Sequence, residues 1–284
     1  MIRSVLARLD HPRLCGVVAL LGLVTSASGA WAQTLGLAPA EIRATFKPQQ
    51  VVQFDLNVSN DGDTPIPMRA SVMDLWFDKA TNEKVFGAPG SLPHSASNWI
   101  TFVPPTFMLP AHGTGKIKVI VTPPAEVAGG SYAVLFVESK PELARAGTPE
   151  AKPVYANVRL GALILLAAEG TEQFHIAVTE PTLTPPSANR SLDLVFQLAN
   201  TGNSHIFPEA RLAILNASRQ VVARTEADTK RFFPGQKDAM TVTWAGTLPP
   251  GEYTGVLTIA YGKDQVYTQL LPLRVGDTTS LQGK

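Results

Sequence analysis

Hydrophobic and polar residues alternate in short runs along most of the chain after residue 33, and turn-forming residues separate these runs. In residues 52–58 every second position is apolar, and Asn60-Asp61-Gly62-Asp63 follows as a turn in which glycine or asparagine can adopt a positive φ. A period of two directs successive side chains to opposite faces of a strand. Because helical periodicity is almost absent, the pattern predicts an antiparallel all-β protein.

The same arrangement recurs 140 residues later in the chain. Residues 192–198 alternate in the same way, and a second Asn-x-Gly turn follows them at 200–202. Further along each half, Tyr132 and Tyr253 lie just after a glycine, at the start of another alternating run. Two landmarks in the same order predict two tandem immunoglobulin-like β-sandwich domains. The sequence leaves open whether either tyrosine forms a tyrosine corner.

The pattern of runs and turns also predicts where the segments of the chain begin and end. The expected segments are a signal peptide at 1–32, a first sandwich domain at 33–168, a second sandwich domain at 172–276 and a polar tail at 277–284. Residues 140–153 contain several prolines and a glycine, which predicts a flexible loop between the last two strands of the first domain. Each domain is long enough to bury a core of its own.

The first 32 residues have the three-part plan of a secretory signal. Positive charge precedes an apolar run at 14–24, and Ala30-Trp31-Ala32 provides small residues for cleavage before Gln33. The apolar run has 11 residues, about half of the ~20 that a membrane-spanning helix needs. We therefore expect a periplasmic protein without a transmembrane segment after cleavage. Cys15, the only cysteine, lies inside the run, so no disulfide is expected in the remainder.

Charge and composition exclude several classes of function. Removing the expected signal changes the net charge from +1 to −1, whereas a nucleic-acid-binding protein usually has a strongly basic surface. Charged residues make up 17% of the chain, so disorder caused by high charge is also excluded. No phosphate-binding glycine loop and no Gly-x-Ser-x-Gly motif occurs. These observations predict a globular protein that binds neither nucleic acid nor a cofactor.

Residues that could support catalysis or bind a metal are scattered. The four histidines after the signal lack the i, i+4 spacing of a helical metal site and are interpreted as surface or turn residues: His94, His112, His175 and His205. Asp74, Asp78 and Glu83 could pair in a cleft, but such sparse carboxylates are more often a solvated edge. We therefore expect no catalytic residue, no metal site and no enzymatic activity.

Four segments of the first half resemble a known family. They are IRATF at 42–46, FVPPTFMLP at 102–110, KIKV at 116–119 and YAVLFVE at 132–138. Together with the strand at 52–58 and its turn, they resemble the PapD-like periplasmic pilus chaperones, of which this chain would be a divergent member. The resemblance covers the expected first domain nearly end to end, whereas the second domain is similar to the family only in its expected architecture.

The resemblance implies a cleft between two angled domains that holds a secreted pilin-like subunit. It also implies two basic residues that bind the C-terminal carboxylate of that subunit, and by position these are Arg43 and Arg159. The family completes the subunit's fold with a lent strand, for which Val154, Ala156 and Val158 are the candidate donor residues here. A guanidinium suits the carboxylate role because it can donate two parallel hydrogen bonds.

Two functions follow as expectations. The first is a periplasmic chaperone or assembly factor that binds pilin-like subunits by β-strand augmentation and carboxylate anchoring, with an outer-membrane usher as a further candidate partner. The alternative is a structural or adhesive cell-surface β-sandwich protein that binds a surface protein or a polymer. An adjacent usher gene would favour the first function, and adjacent adhesin genes would favour the second.

Overall fold

The computed structural model describes residues 35–140, 142–144, 154–187 and 189–276. The predicted signal peptide and polar tail lie outside the described residues, as does most of the predicted loop at 140–153. Within the described ranges, the regular structure is β-strand except for one short 3-10 helix (Ser97–Trp99). The prediction of an all-β protein is therefore confirmed.

The described part of the first half forms twelve strands. These are β1 (Leu35–Ala38), β2 (Glu41–Phe46), β3 (Val52–Asn60), β4 (Ile66–Phe77), β5 (Lys84–Gly87), β6 (Ile100–Val103), β7 (Thr106–Leu109), β8 (Gly113–Val121), β9 (Gly130–Ser139), β10 (Glu142–Ala144), β11 (Val154–Ala156) and β12 (Arg159–Ala168). One sheet has the order β1-β3-β8-β6, and the facing sheet has the order β2-β12-β9-β4-β5 with β7 beside β4. β10 and β11 form a separate antiparallel pair.

The second half forms seven further strands within its described residues. These are β13 (Ile176–Thr184), β14 (Leu192–Asn200), β15 (Glu209–Leu215), β16 (Val221–Glu226), β17 (Lys237–Trp244), β18 (Gly251–Tyr261) and β19 (Gln265–Val275). They build a sheet β13-β14-β17 and a sheet β16-β15-β18-β19. The chain therefore contains two β-sandwiches, as the repeated pattern predicted.

The period of two decides which side chains form each core. In β3, Leu56 and Val58 are fully buried, while Asn57 between them is exposed. Leu56 lies opposite Ile117 of β8, and both pack in the first core. In the second sandwich, Phe196 and Leu198 of β14 occupy the equivalent buried positions. Burial of apolar side chains, at roughly 25 cal/mol per Å², is the main stabilising contribution in a fold of this kind.

The two tyrosines that follow glycine turns have different environments. The hydroxyl of Tyr253 donates a hydrogen bond of 2.9 Å to the carbonyl of Pro249, four residues upstream. This is the hydrogen bond of a tyrosine corner. Tyr132 is instead buried against residues of both sandwiches. The question left open by the sequence is thus answered differently in the two halves.

Asp74 does not lie on a solvated edge, which corrects the interpretation from the sequence. Its side chain is fully buried and accepts hydrogen bonds from Ser95 Oγ and from the amides of Leu92 and Gly90. Burial opposes the charged form, but these hydrogen bonds outweigh it and hold the pKa of Asp74 below its ordinary value. The carboxylate thus fixes the segment that follows β5, a role that fits no paired-carboxylate catalysis.

Candidate functional site

The two sandwiches meet through a third apolar cluster on the outer face of the β2-β12-β9-β4-β5 sheet. Phe233, in the segment between β16 and β17, stacks on Phe77 at 6.3 Å and packs edge-on against Tyr132 at 4.7 Å between ring centroids. The buried members of this cluster are Leu75, Trp76, Phe77, Tyr132, Leu165 and Phe233. Aromatic pairs in these geometries stabilise a contact beyond the area that they bury. We call this region the junction.

Hydrogen bonds add to the apolar contact at the junction. The amide of Gly130 donates to the carbonyl of Asn203 over 2.9 Å. The side-chain amide of Asn203 donates in turn to the carbonyl of Thr171 over 3.0 Å. In the turn between β4 and β5, the side-chain amide of Asn82 donates to the carbonyl of Lys237 over 2.7 Å. The two sandwiches are therefore connected by directional bonds as well as by a shared apolar cluster.

Strand β2 presents two charged side chains beside the junction. Its residues alternate, so that Ile42 and Phe46 are buried in the first core while Arg43 is exposed. Glu41 lies two residues before Arg43 and therefore on the same face of the strand. This face of β2 contacts the second sandwich through Arg231 and Phe207.

The carboxylate of Glu41 binds a guanidinium from each sandwich. Arg43 Nε donates to Glu41 Oε1 over 2.6 Å, and Arg231 of the second sandwich donates through Nη1 to Glu41 Oε2. The Arg43 guanidinium also lies 3.6 Å from the ring centroid of Phe207. The Arg43 side chain is 59% exposed, whereas those of Glu41 and Arg231 are 24% and 13% exposed. The site therefore has one accessible and one buried guanidinium.

Buried polar groups surround this pair of arginines. Within the described residues, Arg231 Nε and His205 Nδ1 are buried without a hydrogen-bond partner. Burial, assisted by the positive charges of Arg231 and Arg43, lowers the pKa of His205 to about 4. Burial also raises the pKa of Tyr132 above its ordinary value. At neutral pH the imidazole is therefore uncharged, and the positive charge of the site belongs to the two arginines.

The structure does not bring Arg43 and Arg159 together. β2 pairs in parallel with residues 163–168 of β12, and Arg43 lies opposite Leu165. Arg159 is six residues earlier on β12, about 20 Å away at ~3.3 Å per residue. A single carboxylate cannot contact both, so the expectation of a convergent pair is wrong. Register between strands distant in sequence depends on which apolar faces pack, and a count of positions does not fix it.

Arg159 instead lies over an aromatic side chain on the outer face of its sheet. Its guanidinium is 3.7 Å from the ring centroid of Phe136, and Nη2 is 3.1 Å from Met73 Sδ. Nε is 3.6 Å from the carboxylate of Glu138. Phe86 packs edge-on against Phe136 at 5.1 Å and is itself exposed. Arg159 is thus part of a half-exposed apolar and charged surface.

The predicted strand-donor residues precede this surface. Val154 and Ala156 lie on β11, whose partner is β10 of the same chain. The amide of Val158 donates to Ser139 Oγ, and its carbonyl accepts from the amide of Ser139. Val158 therefore lies beside the end of β9, whereas Val154 and Ala156 belong to the separate β10-β11 pair.

The first part of β12 has an unpaired outer edge. The amide of Leu163 donates to the carbonyl of Ala40, and β2 covers β12 from there onward. No strand among the described residues pairs with 159–162 on the side away from β9. Because alternate residues face the same edge, the main-chain groups of Arg159 and Gly161 point outward there. We call this segment the free edge.

A groove of about 570 Å³ lies over β9, β4 and β7, on the side of β12 away from the free edge. Its walls include Glu138 of β9, which pairs with Arg159, and Asn157, which precedes β12. Arg69 and Met108 form the opposite side, and Met108 is 62% exposed. The groove therefore combines an apolar wall with charged side chains of both signs.

Of three polar residues beside the junction, two were not identified from the sequence, and His205 was interpreted as a surface or turn residue, although it is largely buried. Glu41, His205 and Arg231 are separated by more than 160 and by 26 residues, so no local motif connects them. A weak signal is available for Arg231, which lies just before the aromatic turn at 232–235 that corresponds to the turn opening β8. Only the packing of the two sandwiches brings the three side chains into one site.

Neither the family models nor the curated proteins compared with this chain match it. Among solved structures it is similar to the class 5 fimbriae chaperone CfaA, with a TM-score of 0.47 and 12% identity over 84% of this chain and 100% of that chain. The E. coli chaperone DraB has a TM-score of 0.41 and 14% identity over 86% and 98% of the two chains. A complex of the Salmonella enterica SafA pilin with the SafB chaperone has a TM-score of 0.43 and 13% identity over 84% of this chain and 97% of that chain. All three of these structures contain a chaperone.

Two kinds of feature are absent from the residues that the structure describes. In these ranges no group of three or more histidine, cysteine, aspartate or glutamate side chains is arranged to hold a metal ion. The described segments also contain no helix whose length and apolarity would let it cross a bilayer.

Proposed function

We propose that the protein is a chaperone that binds an extended segment of a secreted, pilin-like subunit along the free edge of β12. The segment's C-terminal carboxylate is bound beside the junction, at Arg43 and Arg231. The observation that carries this proposal is the position of the free edge, which stops where β2 begins and where Glu41 and Arg43 lie. A strand added to this edge therefore ends at the arginines.

The free edge supports the proposal because its main-chain groups lack a strand partner. Exposed strand edges bind extended peptides by main-chain hydrogen bonds, and the alternating side chains supply specificity. A segment that runs parallel to β12 would continue the line of β2 backward from Glu41. Its C-terminus would then point toward β2.

The two arginines support the other end of the same proposal. Arg43 keeps most of its surface exposed, and Arg231 has a buried donor without a partner. Guanidinium groups hold a carboxylate by charge-assisted hydrogen bonds, which are about twice as strong as neutral ones. Arg231 thus takes the role that the sequence had suggested for Arg159, because its guanidinium lies beside that of Arg43 and binds the same carboxylate.

The remaining predicted residues act along the segment in this proposal. Arg159, stacked on Phe136, contacts side chains of the subunit near the start of the free edge. Val154, Ala156 and Val158, which precede β12 in the chain, remain the candidate donor residues in this proposal.

Co-expression with a secreted pilin-like subunit of the same organism, followed by purification of the complex, tests the proposal. Arg159→Pro removes an outward amide from the free edge, and Pro is tolerated at an edge where the amide faces solvent. Arg159→Ala removes only the side chain and is the matched control. We expect the proline variant to capture at least about tenfold less subunit than the alanine variant, the equivalent of 1.4 kcal/mol. Equal capture by the two variants would contradict strand addition at this edge.

The carboxylate anchor is tested separately. We expect Arg43→Met and Arg231→Met each to weaken capture by about tenfold or more, while Arg211→Met on the exposed face of β15 leaves it unchanged. Adding a few residues to the C-terminus of the subunit should weaken capture by the native protein to the same extent. Tight capture of the extended subunit would contradict anchoring and favour a surface protein that binds folded partners.

A further inference from the structure

One carboxylate at the junction is already bound by both arginines. Glu41 uses Oε1 for Arg43 and Oε2 for Arg231. This is the arrangement that the proposed function assigns to the C-terminal carboxylate of a subunit. In the unbound protein the chain therefore fills its own anchor with a side chain.

The charges near the anchor would allow one carboxylate to replace another. Two guanidinium groups face one carboxylate, and Glu172 is the other acidic group close enough to influence His205. His205 itself is neutral at neutral pH because its pKa is about 4. If Glu41 left without replacement, Arg231 would be a buried cation without a close anion, which is costly. An incoming carboxylate removes that cost.

We propose that Glu41 occupies the anchor as an internal competitor and is displaced from Arg43 and Arg231 when a partner carboxylate binds. This inference rests on the proposed function for the identity of the partner. The exchange preserves the net charge of the site, so the buried arginine is never left without an anion. Because Glu41 links β2 to the second sandwich, the exchange also breaks a contact between the sandwiches.

Glu41→Ala opens the anchor without any partner protein, and acetate is the probe. We expect the thermal midpoint of this variant to lie several degrees below that of the native protein. Replacing sodium chloride by sodium acetate at equal ionic strength and pH 7 should raise it by about 3 °C or more, a shift that corresponds to roughly 1 kcal/mol for a chain of this size. The thermal midpoint of the native protein should be the same in the two salts.

Two control variants isolate the site. Glu209→Ala removes a glutamate that pairs with exposed Arg211 on β15, and it should show no acetate effect. Glu41→Ala combined with Arg43→Met should lose the effect because one of the two guanidinium groups is missing. An equal response of Glu41→Ala to acetate and chloride would overturn the inference. If Glu41→Ala does not fold, the same comparison is made with Glu41→Gln.

Capture of the pilin-like subunit then distinguishes competition from positioning. If Glu41 competes with the partner, Glu41→Gln should capture the subunit several-fold more tightly than the native protein does. Weaker capture would show that Glu41 instead orients the arginines, and would overturn the inference while leaving the anchor intact. Loss of capture in Arg43→Met and not in Glu41→Gln supports the proposed function independently. Acetate could raise the thermal midpoint of Glu41→Ala while capture does not depend on the carboxylate of the subunit. That result would contradict the proposed function but would still support an exchangeable carboxylate site.

Discussion

Asn60 and Asn200 make the same three hydrogen bonds in the two sandwiches. Each is fully buried, each donates from its side-chain amide to two carbonyls, and each accepts the amide of the glycine two residues later. The carbonyls belong to Thr64 and Pro110 in the first sandwich and to Ser204 and Phe232 in the second. The asparagine thereby joins its own turn to a segment far away in the sequence.

This equivalence predicts similar losses of stability for Asn60→Ala and Asn200→Ala. Each substitution leaves two buried carbonyls without their donor, which costs about 2–4 kcal/mol in the free energy of unfolding. Denaturant unfolding monitored by tryptophan fluorescence measures the loss. Asn216→Ala, in an exposed turn, is the control and should cost less than about 1 kcal/mol. A loss at either buried site as small as that of the control would contradict the assigned hydrogen bonds.

The stability of the protein should decrease when the pH falls below 6.5, because of His205. Its pKa is about 4 in the folded protein and about 6.5 in the unfolded chain. The unfolded state therefore binds more protons between these values, and the stabilising effect of the neutral imidazole is lost as the pH falls. Between pH 7 and pH 5 the free energy of unfolding should drop by about 2 kcal/mol.

His205→Gln removes this titrating group and is the test of the pH effect. Its free energy of unfolding should change less between pH 7 and pH 5 than that of the native protein. Asp74, whose pKa is also lowered, contributes stability that is lost only at more acidic pH, below its ordinary value of 3.8. An unaltered pH dependence in His205→Gln would show that another group causes the effect.

The ion pair between Glu41 and Arg231 should contribute more to stability than an exposed pair does. Its side chains are mostly buried, so removal of one partner leaves a poorly solvated charge. A double-mutant cycle with Glu41→Gln and Arg231→Met should give a coupling free energy of about 1–3 kcal/mol. The same cycle at exposed Glu209 and Arg211 should give between about 0 and 1 kcal/mol. Equal coupling in the two cycles would contradict a buried pair at the junction.

Gly129 should tolerate a side chain less well than Gly170 does. Both have a positive φ, +70° and +79°, so alanine is strained at each by about 1 kcal/mol. A Cβ at Gly129 would also lie 2.3 Å from the carbonyl oxygen of Asn203, whereas nothing lies within 4 Å at Gly170. Gly129→Ala should therefore destabilise the protein by at least about 1–2 kcal/mol more than Gly170→Ala in denaturant unfolding. Equal losses would show that the two sandwiches do not approach each other at Gly129.

The features that could be predicted from the sequence are those that depend on neighbouring residues. The alternation around Leu56 and Leu194 predicted buried strand faces because a strand has a period of two whatever it packs against. The Asn-x-Gly turns were visible for the same reason, since their hydrogen bond to the glycine amide is local. Asp74 was misinterpreted because its partners come from a segment some 20 residues later.

The sequence by itself therefore determined the strands, their inward faces and the repetition of one sandwich plan, because backbone geometry and local hydrogen bonds act over a few residues. Only the tertiary structure decided which charged residues share a site. Parallel pairing placed Arg43 opposite Leu165 and far from Arg159, and packing of the second sandwich brought Arg231 to Glu41. These choices depend on the fit of whole apolar faces between segments remote in the chain, which no short stretch of sequence encodes.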